Sequence, residues 1–369
     1  TSQDPMAVQS HDVWIQSYAT EYNYPAAAAL TVEEQERYTD IMTDINTFIS
    51  EQKAKFLTGE LSFENGDWET FVDQVRGMGI EEVYDIDMFR SIYRRIRNYA
   101  LRQFKDEGVL IEQRITDFNH LEVQIISDRS GQRPVHFGTR NCSIQSTGLQ
   151  KRIEVAPGFA PHNISYSFNA EKVLVDIVHY SLTMARKVGY DNVGTWEWIV
   201  TRNGDPFLME VNTRIQVENG VSARIATVNG EGGVDLIAEQ IRTGLGQPLG
   251  YGQEAVAFDG VGIEYRLIAE DPDNRFTPWV GRIERFSWRE QPWLTMLTHV
   301  PTDEPYEIPT EFDPNLALAI VWGKDLDEAR ARGREFLDGL TLEGHNAAGG
   351  SLKSNVNFLR ANTERILRF

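Results

Sequence analysis

The sequence has almost no cysteine, no long apolar run and no surplus of positive charge, and each absence excludes something. One Cys in 369 residues rules out an internal disulfide framework and fits a reducing, cytoplasmic compartment. No run approaches the roughly 20 apolar residues of a membrane span, so no membrane partner is expected. The first apolar-rich stretch, YPAAAAL, is short and lacks the basic flank of a signal peptide. A formal net charge of −19 argues against nucleic acid, because phosphate backbones demand a basic surface. Small anionic substrates stay open, since local Arg and Lys clusters can hold them. There is no internal repeat and no low-complexity segment. The chain opens at Thr1 rather than Met, as a fragment or a processed product would.

What is present is the composition of a soluble globular protein, 41% hydrophobic and 25% charged, long enough for two or three domains. Three textures follow one another. Residues 1–99 read as a helical segment, with TVEEQERYTDIMTDINTFISEQKAKFLTGE, DWETFVDQVRGMG and DMFRSIYRRIRNYALRQF at helical spacing. The basic block Arg94, Arg95, Arg97 and Arg102 is best taken as a solvated helix face. Residues 100–250 mix strands (VLIEQRI, HLEVQIISD, PVHFGTRNCSI, GTWEWIVTRNG, PFLMEVNTRIQ) with the amphipathic helices AEKVLVDIVHYSLTMARKVGY and VDLIAEQIRTGLG. Residues 251–369 are strand-rich and close with the helix DLDEARARGREFLDGL. The expected class is α+β, a sheet covered by helices on one side.

The chemistry concentrates in FLMEVNTRIQVEN. Glu210, Asn212, Arg214, Gln216 and Glu218 recur at a spacing of two, which in an extended chain turns all five toward one face. The alternative is a plain exposed strand face of alternating charge. Upstream, Asn203-Gly204 is a hairpin signal, so Glu197 is expected beside Glu210. Two adjacent carboxylates repel unless a cation lies between them, and with one amide they form the hard oxygen set that Mg2+ or Mn2+ takes. The competing reading is a cross-strand pair splayed into solvent.

GTWEWIV followed by FLMEVNTRIQVEN resembles the paired metal and substrate strands of biotin carboxylase, an ATP-grasp enzyme. VLIEQRITDFNHLEVQIISD, HFGTRNCSIQSTGLQKRIEVAP, IEYRLIAEDPDNRFTPWVGRIERF and FDPNLALAIVWGKDLDEARARGREFL are similar to further segments of that family, in order, from about Asn98 to Leu359. The resemblance implies a partial ATP-grasp sheet followed by a biotin carboxylase-like C-terminal domain. It implies that main-chain groups of Glu112, Gln113, Arg114 and Ile115 hold the adenine of ATP, and that His120 reaches the ribose or phosphates. It makes Glu197, Glu210 and Asn212 the ligands of Mg2+ or Mn2+, with both acids also facing nucleotide. Lys151, Arg214, Gln216 and Val217 would hold bicarbonate, with Glu218 as the general base. Carboxyphosphate would form and carboxylate biotin on a carrier. The implied partners are a biotin carboxyl carrier domain, a carboxyltransferase and a second copy of the chain, paired through the C-terminal domain.

The sequence departs from the family at four places. No glycine-rich lid precedes Tyr99, so half of the nucleotide clamp is expected from a partner chain. Thr295 stands where the family has the arginine that faces biotin. STGL replaces a segment with a nucleotide-contacting His, and ENGVSA replaces EHPVTE. These departures keep two other functions open, a scaffold or regulatory subunit without turnover and an ATP-grasp ligase with another acceptor. The stretch from FLTGELSFENG to DMFRSIYRR is similar to the last helices of bacterial extracellular solute-binding proteins, which adds a transport-related binding module as a more distant one.

Overall fold

The computed structural model describes residues 86–104, 108–109, 115–129, 133–146, 150–159, 166–309 and 314–367. The expected helices before residue 86, the positions Glu112, Gln113 and Arg114, and residues 147–149 of the STGL segment lie outside them. The chain divides into two compact units. In the described part of the first, helix α1 (Ile86–Phe104) carries Arg94, Arg95, Arg97 and Arg102 exposed. Phe89 and Tyr93, one turn apart, stack with ring centroids 5.7 Å apart.

The second unit is built on one antiparallel sheet of eight strands. They are β1 (Phe118–Ser127), β2 (Val135–Gln145), β3 (Lys151–Ala156), β4 (Asn192–Thr201), β5 (Pro206–Asn212), β6 (Val261–Ile268), β7 (Leu294–Thr298) and β8 (Asn315–Gly323). Their spatial order is β7-β8-β6-β3-β2-β1-β4-β5. The β3–β6 pairing, with Glu154 opposite Glu264, joins the stretches of sequence before and after residue 250. The mixed helix-and-strand class is the expected one. Among the described residues, no helix is long and apolar enough to cross a membrane.

The sheet has two buried faces of opposite character, and alternation in sequence produces them. On one face Leu121, Val123 and Ile125 of β1, Trp196, Trp198 and Val200 of β4, and Ile263, Tyr265 and Leu267 of β6 form the main core. Helix α2 (Ala170–Lys187) packs there through Val173, Ile177, Ser181 and Ala185, and Ser181 Oγ accepts from Trp198 Nε1 at 3.0 Å. Asn169 caps its start, and Gly189 just past its end takes φ +61°. Helix α5 (Leu326–Gly339) lies on the same side, where any side chain at Gly333 would meet Tyr265.

The opposite face carries the polar partners, His120, Glu122 and Gln124 on β1 and Thr195 and Glu197 on β4. Helix α3 (Asn219–Ile225) covers part of it, with Ser222 accepting from Arg140 Nη1 at 3.1 Å and Gly220 close against Ile320. Helices on one side only was therefore too simple. An acidic and basic face cannot be left beside an apolar layer, and α3 roofs it.

Candidate active site

The hairpin forms as its turn residues dictate. Gly204 adopts φ +87°, the amide of Gly204 donates to Thr201 O at 3.0 Å, and β4 and β5 run back antiparallel. Glu197 and Glu210 are register partners. Glu197 is buried beneath the sheet's cover, whereas Glu210 is exposed. Asn212 joins them, its Nδ2 donating to Glu197 Oε1 at 2.8 Å and to Glu210 Oε1 at 3.0 Å.

The extended segment expected through Glu218 ends at Asn212. Residues 213–218 turn, and α3 begins at Asn219. The spacing of two therefore does not place all five polar side chains on one face. Gln216 and Glu218 are carried inward and buried, Arg214 is exposed with Nη1 donating to Ile215 O at 3.1 Å, and Val217 is half exposed. The helix start accounts for this, since an αR turn curls the chain under the sheet that a strand would have run beyond.

Below the hairpin the buried groups interlock. His120 Nε2 lies 2.7 Å from Glu197 Oε2, and Gln145 Nε2 donates to His120 Nδ1 at 3.0 Å, which puts the ring proton on Nε2. Gln216 Nε2 donates to Glu197 Oε1 at 2.5 Å. Lys151 Nζ sits among three carboxylates, donating to Glu122, to Glu218 Oε1 at 2.6 Å and to Glu197 Oε1 at 3.5 Å. It reaches them from the first residue of β3, where the pairing with β2 shifts register, and such irregularities re-aim side chains. On its far side Glu218 Oε2 accepts from Arg266 Nη2 at 3.0 Å.

Arg140, fully buried, holds the layer together. Its fork donates to Glu122 Oε2 at 2.8 Å, Gln124 Oε1 at 2.9 Å, Ser222 Oγ at 3.1 Å and Gln216 Oε1 at 2.9 Å. Burial alone pushes the Glu122 carboxyl up, but the Arg140 and Lys151 charges outweigh it and hold the group below its usual range. Burial also pushes Glu197 up. The His120 hydrogen bond and the Lys151 charge win there, bringing it down to about 2. Burial alone lowers Lys151, and the surrounding carboxylates raise it well above its ordinary value, so it stays an ammonium.

The donor set suits a hard cation. Glu197, Glu210 and Asn212 offer two carboxylates and one amide on adjacent strands, and His120 Nε2 with Glu122 and Glu197 oxygens lie within 4.8 Å of one another. Asn212 at present turns its NH2 to both acids. A half-turn about its last side-chain bond would present Oδ1 instead.

Glu122, Arg140 and Arg266 escaped the sequence reading, although HLEVQ and EYRL carry the same alternation that singled out the 210–218 segment. Ile115, expected to contact adenine, is half-buried and lies just before β1. Thr295 is exposed on the edge strand β7, opposite Ile320.

Comparisons with known proteins identify the family. The model of the carbamoyl-phosphate synthase L chain ATP-binding domain matches residues 74–251, and that of the biotin carboxylase C-terminal domain matches residues 264–364. The biotin carboxylase of Nostoc sp. PCC 7120 is 35% identical over 289 residues, 78% of this chain and 61% of that protein. Chloroplastic biotin carboxylase 1 of Populus trichocarpa is 34% identical over 268 residues, 73% of this chain and 47% of that one. The chain thus spans about half the length of the relatives it matches. Among solved structures, the biotin carboxylase–β,γ-ATP complex from Campylobacter jejuni superposes with TM-score 0.65 at 30% identity, covering 78% of this chain and 58% of that one. The biotin carboxylase domain dimer of Hydrogenobacter thermophilus 2-oxoglutarate carboxylase, with MgADP, ADP and bicarbonate, gives 0.64 at 30% identity, with the same coverage. The chain belongs to the biotin carboxylase family of ATP-grasp ligases, and carries the C-terminal part of the ATP-grasp domain together with the biotin carboxylase C-terminal domain.

Proposed function

We propose that the chain is the C-terminal component of a biotin carboxylase, acting on MgATP and bicarbonate with a partner chain that supplies the remaining part of the nucleotide clamp. The observation that carries this reading is the clamp on Glu218, held at 2.6 Å by Lys151 and at 3.0 Å by Arg266 beside the Glu197 cluster. Two cations thereby fix a buried carboxylate in one orientation, the positioning that a general base needs.

In this mechanism Glu197, Glu210 and Asn212 hold the divalent ion, Mg2+ or Mn2+. When bound, the ion neutralises charge on the nucleotide phosphates. Lys151, Arg214, Gln216 and the Val217 main chain would hold bicarbonate, orienting it by cationic and amide groups. Glu218 Oε1 would remove the bicarbonate proton as a bicarbonate oxygen bonds to the γ-phosphorus and the bond to the β-phosphate oxygen breaks, ADP leaving. Lys151, released from Glu218 as that proton arrives, is free to stabilise the developing carboxyphosphate. His120, with its proton on Nε2, fixes the inner oxygen of Glu197. Ile115 and the three residues before it would hold adenine through main-chain groups.

Residues 100–250 would serve nucleotide and metal, and residues 251–369 the C-terminal domain functions, including pairing with a second copy. A carrier domain and a carboxyltransferase would complete the cycle in the cytoplasm, a compartment that suits the buried, unpaired Cys142. Thr295 on the exposed edge favours one second reading, ligase chemistry that delivers to an acceptor other than biotin.

The test is phosphate release from ATP by the chain alone and mixed with the N-terminal half of the Nostoc relative, with and without bicarbonate and free biotin. Bicarbonate-dependent release stimulated by biotin supports the proposal. Release that ignores biotin supports the other acceptor, and no release in any mixture overturns both.

A further inference from the structure

Glu154 of β3 and Glu264 of β6 are directly opposed across an antiparallel pair, and both are wholly buried. None of their four carboxylate oxygens has a hydrogen-bond partner. Arg266 Nη2 lies 2.6 Å from Glu154 Oε1, close enough for an ion pair but without hydrogen-bond alignment, and Arg266 Nε is likewise buried and unpartnered. Helix α3 closes the pocket: a Cβ on Gly220 would lie 3.7 Å from Glu264 Oε2.

The buried acids of this layer are Glu122, Glu154, Glu197, Glu218 and Glu264, and the cations facing them are Arg140, Lys151 and Arg266. Two other titratable groups lie in the layer: Cys142 is pushed up by burial and stays a neutral thiol, and His120 is hydrogen-bonded to Glu197. Arg140 and Lys151 are hydrogen-bonded to Glu122 and Glu218 and act on the pair only from a distance, so Arg266, already shared with Glu218, is the only cation among the described residues within ion-pair reach of either acid. Two ionised carboxylates side by side in a dry pocket repel at several times their strength in water.

We propose that Glu154 and Glu264 share one proton, forming a dyad of single negative charge that holds Arg266 in place against Glu218. The dyad is a positioning device under the base rather than part of the reacting atoms. Its bearing on catalysis rests on the function proposed above, whereas the shared proton is a property of the folded chain by itself. Burial raises both acids, Glu154 to about 7, where Arg266 opposes and the Glu218 charge adds, and Glu264 well above the ordinary range, where the Glu154 charge adds and Arg266 opposes.

The experiment is an infrared pH titration of the whole chain, without nucleotide or metal, comparing the wild type with Glu264→Gln. Gln has the size of Glu and gives Glu154 a hydrogen-bond donor, so the remaining acid ionises against Arg266. The expected result is a protonated-carboxyl C=O band in the wild type that persists to near-neutral pH and is missing from the variant difference spectrum. Should Glu264→Gln fail to fold by circular dichroism, Glu154→Gln takes its place with the same expectation. A wild type with no such band above the ordinary carboxylate range, about 4.3, overturns the dyad, and so does a band unchanged in the variant. Neither outcome depends on ATP turnover, so a failed dyad leaves the functional proposal standing.

Discussion

Glu197 and Glu210 face each other across the β4–β5 hairpin, and a single amide nitrogen, Asn212 Nδ2, donates to both. The amide does without metal what a cation would do with it, keeping two acids from direct repulsion. Asn212→Asp removes both donors and adds a third acid. Its metal-free stability should fall by roughly 1–3 kcal/mol, and Mg2+ or Mn2+ should raise its melting temperature more than that of the wild type. Equal shifts in both proteins, measured by metal-titrated thermal denaturation, would count against a cation in this position.

Glu218 is buried between Lys151 and Arg266, so its two roles can be separated by charge and by shape. Glu218→Gln keeps the shape. It should lower turnover in the complemented assay by about 10²–10⁴-fold with nucleotide affinity little changed. Turnover within a few-fold of wild type would remove Glu218 from the role of base.

The acid side of the stability profile should report Glu197. Its folded value of about 2 lies below the usual 4.5. A carboxyl lowered by folding contributes stability fully above the unfolded value and loses it as pH falls through the folded one. Urea denaturation should therefore show Glu197→Gln less stable than wild type near neutrality, by on the order of 3 kcal/mol. The gap should close between about pH 4.5 and 2. A gap independent of pH would assign the loss to packing.

Arg140 spends its donors on Glu122 and Gln124 of β1, Gln216 of the 213–218 turn and Ser222 of α3, three segments of the chain. Arg140→Met strands Glu122 without its main partner, and breaking a buried pair in this way costs about 3–5 kcal/mol. Chemical denaturation should show a loss of that size. A loss below about 1 kcal/mol would mean that the network is not a structural tie.

Much of this was legible in the sequence, and the misses share a cause. Asn203-Gly204 announced the hairpin that pairs Glu197 with Glu210, and the helical spacing of AEKVLVDIVHYSLTMARKVGY announced α2. Alternation served well inside strands and failed where the strand stopped. Gln216 and Glu218 point inward because α3 starts at Asn219, a boundary that no spacing of two reveals. Lys151 reaches the acids through a register shift, which depends on the partner strand β2 and not on its own neighbours. Arg140 and Arg266 find partners far away in the chain, Ser222 82 positions from Arg140 and Glu218 48 positions from Arg266. Only the assembled sheet shows that they belong to one layer.

Calorimetric titration of Mn2+ and ATP into the whole chain, wild type against Glu210→Gln, tests the central claim most directly. Glu210 is exposed, so the variant should fold as the wild type does, while its metal-dependent nucleotide affinity should drop at least about tenfold. Equal affinities in the two proteins, or heat in the wild type that needs no metal, would contradict the assignment of this hairpin as a metal–nucleotide site.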